Sequence, residues 1–154
     1  MPIFSDLKST NQDLLKPGRI IGIDIGTKRL GIAMSDATRL IATPKTIINR
    51  QSNLKDFARI QQLIEEYQVV GIVTGLPINM YDKEIPMTGF SIKFSENLDE
   101  FLEKKFPIFL IDERLSSFEA REVNLSHLSR KKTKHCDDIA ASFILQDFLN
   151  ELRR

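Results

Sequence analysis

The chain has little of what most directly commits a sequence to a class. It carries a single cysteine, Cys136, which excludes an internal disulfide framework and fits a reducing compartment. No apolar run approaches the roughly 18 residues that a membrane span needs, and the first residues lack the apolar core of a signal peptide. A cytoplasmic location and no membrane partner are therefore expected. Neither sign of charge predominates: Lys plus Arg number 22 against 21 for Asp plus Glu, a net charge of +1. Any signal for an anionic partner must then come from where the charge lies. The two histidines, His127 and His135, have no metal-ligand spacing and read as surface residues. There is no internal repeat, no low-complexity tract and no interleaved aromatic set of the kind that stacks on bases.

What is present is an ordinary globular composition, 42% hydrophobic and 28% charged over 154 residues, enough for one domain with a sizeable core. The chain is organised around residues 19–36, RIIGIDIGTKRLGIAMSD. Two isoleucine-rich runs joined by the turn Thr27-Lys28-Arg29 predict a buried β-hairpin. Strand alternation puts Gly22, Asp24 and Gly26 on one face and Ile21, Ile23 and Ile25 on the other. A carboxylate on such a strand is costly unless it is paired or binds metal. The flanking glycines leave room for another backbone, or a ligand, to come close. The alternative reading of Asp24 is a strand-end residue that caps a turn.

Residues 1–18 end in Pro17-Gly18 and read as an N-terminal extension outside the sheet; the domain proper is 19–154. A third strand is expected over 40–48, interrupted or edged by Pro44. Apolar residues at helical spacing (Leu54, Phe57, Ile60, Ile64, Tyr67) predict a helix with Asn53 as its N-cap. Residues 69–77 read as a buried strand and 78–88, which contain Pro86, as a loop. Phe90, Phe94, Leu98, Phe101 and Leu102 mark a second helix, and 106–111 a fifth strand. The Ser116-x-x-Glu119 spacing predicts the start of a third helix, 129–135 a basic loop, and 137–152 a last helix with Ala141, Ile144 and Phe148 on one face. Three antiparallel strands followed by strands and helices in alternation describe an α/β protein whose mixed sheet has helices on both faces.

Three acidic positions stand out. One is Asp24. The second is Asp112-Glu113, just after an apolar strand, where alternation lets only one of the pair face a given site. The third is Asp137-Asp138 at the start of the last helix, where carboxylates are in any case favoured by the free backbone N–H groups. Cys136 beside them reads as a small buried hydrophobe. If the three positions converge, their mutual repulsion calls for a divalent cation, and oxygen-only ligands suit Mg²⁺ or Mn²⁺. Two such ions about 4 Å apart are a standard device for in-line phosphoryl displacement.

Five motifs then occur in order: Asp24-Ile25-Gly26-Thr27-Lys28-Arg29-Leu30-Gly31-Ile32-Ala33; Gly75-Leu76-Pro77-x-Asn79-Met80; Asp112-Glu113-Arg114-Leu115-Ser116; Glu119-Ala120-Arg121; and Asp137-x-x-Ala140-Ala141-x-x-Ile144-Leu145. Each alone is weak, but the ordered set, spanning nearly the whole domain, resembles the YqgF-type family. These are RNase H-like proteins described as Holliday junction resolvases and as nucleases for the 5′ end of pre-16S rRNA. The resemblance implies an RNase H-like, five-stranded mixed sheet with the Asp24 strand at its centre. It implies that Asp24, Glu113 and Asp137, rather than Asp138, are the catalytic, metal-binding carboxylates of a two-metal-ion nuclease.

Lys28, Arg29, Arg114 and Arg121 belong to the same motifs, and Arg130, Lys131, Lys132 and Lys134 immediately precede Asp137. Together they are expected to form a rim that binds substrate phosphates. Structured RNA is the expected substrate, in ribosome biogenesis. A branched-DNA resolvase and a non-catalytic RNA- or ribosome-binding protein are the alternatives. The chain is expected to act as a monomer or homodimer; a resolvase would be a symmetric dimer matched to its two-fold junction. The Asp-x-Gly-Thr hairpin also resembles the phosphate loop of actin-like ATPases, but the chain has no residues to spare for their second domain.

Overall fold

Alternating and helical apolar periodicities in the chain translate into a single layered sheet. The computed structural model describes residues 3–4, 16–77, 85–112 and 136–153. The predicted helix from Ser116, the basic loop and most of the loop after Pro77 lie outside the described residues. In chain order the elements are β1 (Ile3–Phe4), β2 (Arg19–Ile25), β3 (Arg29–Ser35), β4 (Ala42–Asn49), α1 (Asn53–Tyr67), β5 (Val69–Leu76), α2 (Pro86–Phe101), β6 (Ile108–Asp112) and α3 (Asp137–Leu152). The sheet order is β1-β6-β5-β2-β3-β4. The five strands expected from the sequence are all present, with β2 at their middle. Ile3–Phe4 adds a sixth, pairing in parallel with Ile108–Phe109, so the N-terminal extension is not wholly outside the sheet.

Period-2 alternation sorts the strand side chains into two cores. On one face Ile21, Ile23, Ile25, Leu30, Ile32 and Ile108 pack against Phe57, Ile60 and Ile64 of α1 and Phe94 and Leu98 of α2. On the other, Ile20, Ala33, Val73, Phe109 and Ile111 pack against Ala141, Ile144, Leu145, Phe148 and Leu149 of α3, with the Phe109 and Phe148 rings stacked at 5.1 Å. A mixed sheet with helices on both faces is thus the observed architecture.

Three local expectations change in the structure. Ser52, not Asn53, caps α1, its hydroxyl accepting from the Lys55 N–H at 3.2 Å; Asn53 instead accepts from Arg50 Nη2. Leu54 is 69% exposed, because a residue in the first turn precedes the stripe that faces the sheet. Pro86 opens α2 rather than sitting in a loop, since its missing N–H costs nothing in a first helical turn. Thr88 stabilises that start by accepting from the Ile85 N–H at 3.0 Å and donating to the Pro77 carbonyl. Pro44 pairs opposite Ala33 next to a register shift in the β3–β4 ladder, an edge-strand irregularity that accommodates a residue with no N–H.

Asp36 holds the turn between β3 and β4. Its Oδ1 accepts from the Leu40 and Ile41 N–H groups at 2.8 and 2.9 Å, and its Oδ2 accepts from the Thr38 N–H and hydroxyl. The bond from Ile41, then that from Thr38, holds its carboxyl far below the ordinary value of 3.8. A depressed folded-state value means a stabilisation present above about pH 4 and lost progressively as the pH falls below it. Asp36→Asn is therefore expected to cost about 1 kcal/mol at pH 7, modest because the turn is solvent-screened. The gap should narrow at pH 3, as denaturant titrations at the two pH values would measure.

Candidate active site

Topology alone brings the acidic segments to one edge. β2, β5 and β6 are mutually parallel, so their carboxyl ends lie side by side, the usual place for a site in an open α/β sheet. Asp24 is the penultimate residue of β2, and Leu76 and Asp112 end β5 and β6 in register with each other. β3, antiparallel to β2, begins at this edge with Arg29, and α3 begins there with Asp137.

The approach of α3 depends on two glycines. Gly31 is the cross-strand partner of Asp24. A Cβ on Gly31 would lie 1.8 Å from the Asp137 carbonyl oxygen and 2.8 Å from the Asp138 nitrogen. The backbone at the start of α3 therefore rests on the strand position beside Asp24. Further along, a Cβ on Gly22 would meet the Leu145 Cβ at 2.8 Å and the Ala141 carbonyl at 3.1 Å. Of the two uses the sequence left open for Gly22, the room goes to another backbone and not to a ligand. Asp24 itself is partly buried on this α3 face.

Asp137 accepts from Arg29 Nε at 3.0 Å, with the two side chains 29% and 31% exposed. Asp138 Oδ1 instead accepts from the Ile139 N–H at 3.0 Å, an ordinary use of a carboxylate at a helix start. Geometry thus separates the neighbours: Asp137 turns to the hairpin and Asp138 serves the helix. Lys28 is exposed at the turn. From the opposite side Arg50 braces that turn: its N–H donates to the Lys28 carbonyl at 2.9 Å and its Nη1 to the Gly26 carbonyl at 3.3 Å. Arg50 is anchored in turn by Asp56 Oδ2 at 2.8 Å, with side chains only 13% and 2% exposed.

Asp24 and Asp137, 113 positions apart in sequence, are therefore brought to adjoining strand and helix positions. Asp112 shares the parity of Ile108, whose side chain packs with α1 and α2, whereas Phe109 and Ile111 pack on the α3 side. Glu113, Arg114, Arg121, Arg130, Lys131, Lys132 and Lys134 lie outside the described residues. Among the described residues no three metal-ligating side chains gather. Carboxylate oxygens are the donor type that hard divalent cations take. Sequence reading missed the seat at Gly31 and the brace at Arg50. Gly31 was detectable as a glycine mid-strand; Arg50, in a polar linker, carried no signal.

A family model described as "RuvX: Holliday junction resolvase" matches residues 18–151. The chain belongs to the RuvX family. This is the YqgF-type resemblance read from the motifs, and it puts the chain among nucleases. Relatives called "putative pre-16S rRNA nuclease" include one from Thermoanaerobacter pseudethanolicus. It is 44% identical over 135 residues, covering 86% of this chain and 96% of its own. One from Rickettsia bellii is 37% identical over 154 residues, covering 99% of both chains. Among solved structures, T. thermophilus RuvC in complex with Holliday junction substrate superposes with a TM-score of 0.58 at 10% identity, over 86% of this chain and 94% of that one. The fowlpox virus resolvase bound to junction DNA gives 0.52 at 15% identity, over 88% and 99%. At such identities these neighbours establish the fold, that of the RNase H-like resolvases.

Proposed function

We propose that this RuvX-family chain is a divalent-metal-dependent phosphodiesterase of the two-metal-ion type that acts on structured RNA, most specifically at the 5′ end of the 16S rRNA precursor. The observation that carries the reading is the seating of Asp137 beside Asp24 through Gly31. In this proposal Asp24, Asp137 and Glu113 hold Mg²⁺ or Mn²⁺. The alternation of β6, with Phe109 and Ile111 on the α3 side, supports Glu113 rather than Asp112 as the third ligand. When bound, the ions supply an activated water and neutralise charge at the leaving oxygen. Arg29 orients Asp137. Lys28, with Arg114, Arg121, Arg130, Lys131, Lys132 and Lys134, holds phosphates on either side of the cut. Among the described residues no helix is long and apolar enough to cross a membrane.

The test offers the purified protein a precursor fragment spanning the 16S 5′ end and, separately, a four-way DNA junction, with Mg²⁺, with Mn²⁺ and with chelator. Cleavage of the RNA alone, abolished by chelator, is the expected result. Symmetric cutting of the junction instead would make the protein a resolvase, the activity by which the family is described. Binding of RNA without cleavage of either substrate would leave a binding protein. Replacing Lys131, Lys132 and Lys134 together by Gln should flatten the dependence of log affinity on log salt by about 2 to 3, since each phosphate contact contributes close to one unit. The rate of cutting of saturated substrate should stay within a few-fold.

A further inference from the structure

Arg29 stands in an unusual place for a residue expected on a phosphate-binding rim. Its Nε donates to Asp137 Oδ2 at 3.0 Å. A guanidinium carries five N–H donors, and the four on Nη1 and Nη2 bond no other described residue. The side chain is 31% exposed, so solvent and solutes reach it. Arg29 opens β3 and has the same strand parity as Gly31, on which α3 rests. The positive charge that neutralises Asp137 in this structure is therefore the protein's own.

We propose that Arg29 is an internal counter-ion of Asp137 that competes with the divalent cation for that carboxylate, and that a nucleic-acid phosphate captured by its Nη groups draws it off. This rests on the reading of Asp137 as a metal ligand. A guanidinium prefers a phosphate, with which it can pair through two parallel N–H···O bonds, over a single bond through Nε. Substrate binding then frees the Asp137 oxygen as it delivers the scissile bond, so metal is held weakly until substrate arrives. Arg29 is accordingly a positioning residue, acting on the reaction through Asp137.

The decisive measurement is Mn²⁺ affinity, by titration calorimetry on the intact protein without nucleic acid. Removing a competing, half-exposed charge should raise that affinity, so Arg29→Gln and Arg29→Met should each bind Mn²⁺ about three- to tenfold more tightly than the unaltered protein. Arg29→Lys, which keeps the charge, should stay near the unaltered value, and Asp137→Asn should bind most weakly. A merely structural role for Arg29 predicts the opposite sign, since a displaced Asp137 would hold metal less well. Equal or weaker Mn²⁺ binding by both Gln and Met variants, with Asp137→Asn still defective, overturns the counter-ion proposal and leaves the metal reading standing. Asp137→Asn binding Mn²⁺ as tightly as the unaltered protein overturns the metal reading itself, and this inference with it.

Discussion

Asp24→Asn should bind the proposed RNA substrate with nearly unaltered affinity and cut it at least about a thousandfold more slowly. The substitution keeps the shape of the side chain and removes its charge, so the strand has no reason to move. What is lost is one anionic oxygen donor of a cluster proposed to hold divalent metal, and metal-assisted phosphoryl transfer draws several kcal/mol of transition-state stabilisation from such ions. At 1.36 kcal/mol per factor of ten, about 4 kcal/mol corresponds to that thousandfold. The phosphate contacts proposed for Lys28 and the basic segment before Asp137 do not depend on Asp24, which is why binding should persist. Filter binding, single-turnover cleavage and a thermal melt on the same preparation separate the three quantities. A variant that is folded and cuts as fast as the unaltered protein would remove the nuclease site from this edge of the sheet.

Gly31→Ala is the second substitution with a large expected effect, and it acts without touching a charge. The new methyl would sit 1.8 Å from the Asp137 carbonyl oxygen and 2.2 Å from its carbon. Both are backbone atoms of a helix that is packed along its length, so no side chain can swing aside to relieve the overlap. Either β3 bows or the first turn of α3 lifts. Overpacking of this kind costs about 3 kcal/mol or somewhat more, a fall in Tm of about 6 to 12 °C for a chain of this size. Activity should fall further than stability explains, because a lifted α3 carries Asp137 away from Asp24. Gly89→Ala provides the control: a Cβ at Gly89 in α2 meets nothing within 4 Å. There the lower entropy of the unfolded chain and better helix propensity should leave the protein equally stable or more stable by about 0.5 to 1 kcal/mol. A Tm for Gly31→Ala equal to that for Gly89→Ala would mean that α3 does not rest on β3 as described.

Much of the fold was legible because its signals are local. The hairpin, β5 and α3 announce themselves by apolar alternation or helical spacing, and α3 runs over residues 137–152 as its pattern predicts. The acidic pair at its start was visible as well, together with the ordinary reason for acids there. The ambiguities were local too. Ser52 and Asn53 are both good caps, and Pro86 is compatible with a loop or with a first helical turn. Which of each pair is used shows only in the bonds made: Ser52 caps the Lys55 N–H while Asn53 is taken by Arg50, and Thr88 ties the start at Pro86 to the Pro77 carbonyl.

The site itself was only half legible. Asp24 and Asp137 were both named from the sequence, but their meeting was not, because apolar alternation fixes which residues of a hairpin share a face and not which other segment packs on that face. A turn at Thr27-Lys28-Arg29 leaves the pairing open by one residue. The observed ladder pairs Ile25 with Leu30 and hence Asp24 with Gly31; a one-residue slip would set a bulky isoleucine, Ile32, opposite Asp24. The burial of Ile23 and Ile32 against α1 and α2 selects the first register, since both must face the same core. The contact between Arg29 and Asp137 spans 108 positions, and nothing within a few residues of either encodes it. The sequence by itself determined the elements, their faces and the carboxylates. Only the tertiary structure decided which glycine admits the helix and which cation meets Asp137, because side-chain periodicity is a property of one segment and close approach is a property of two.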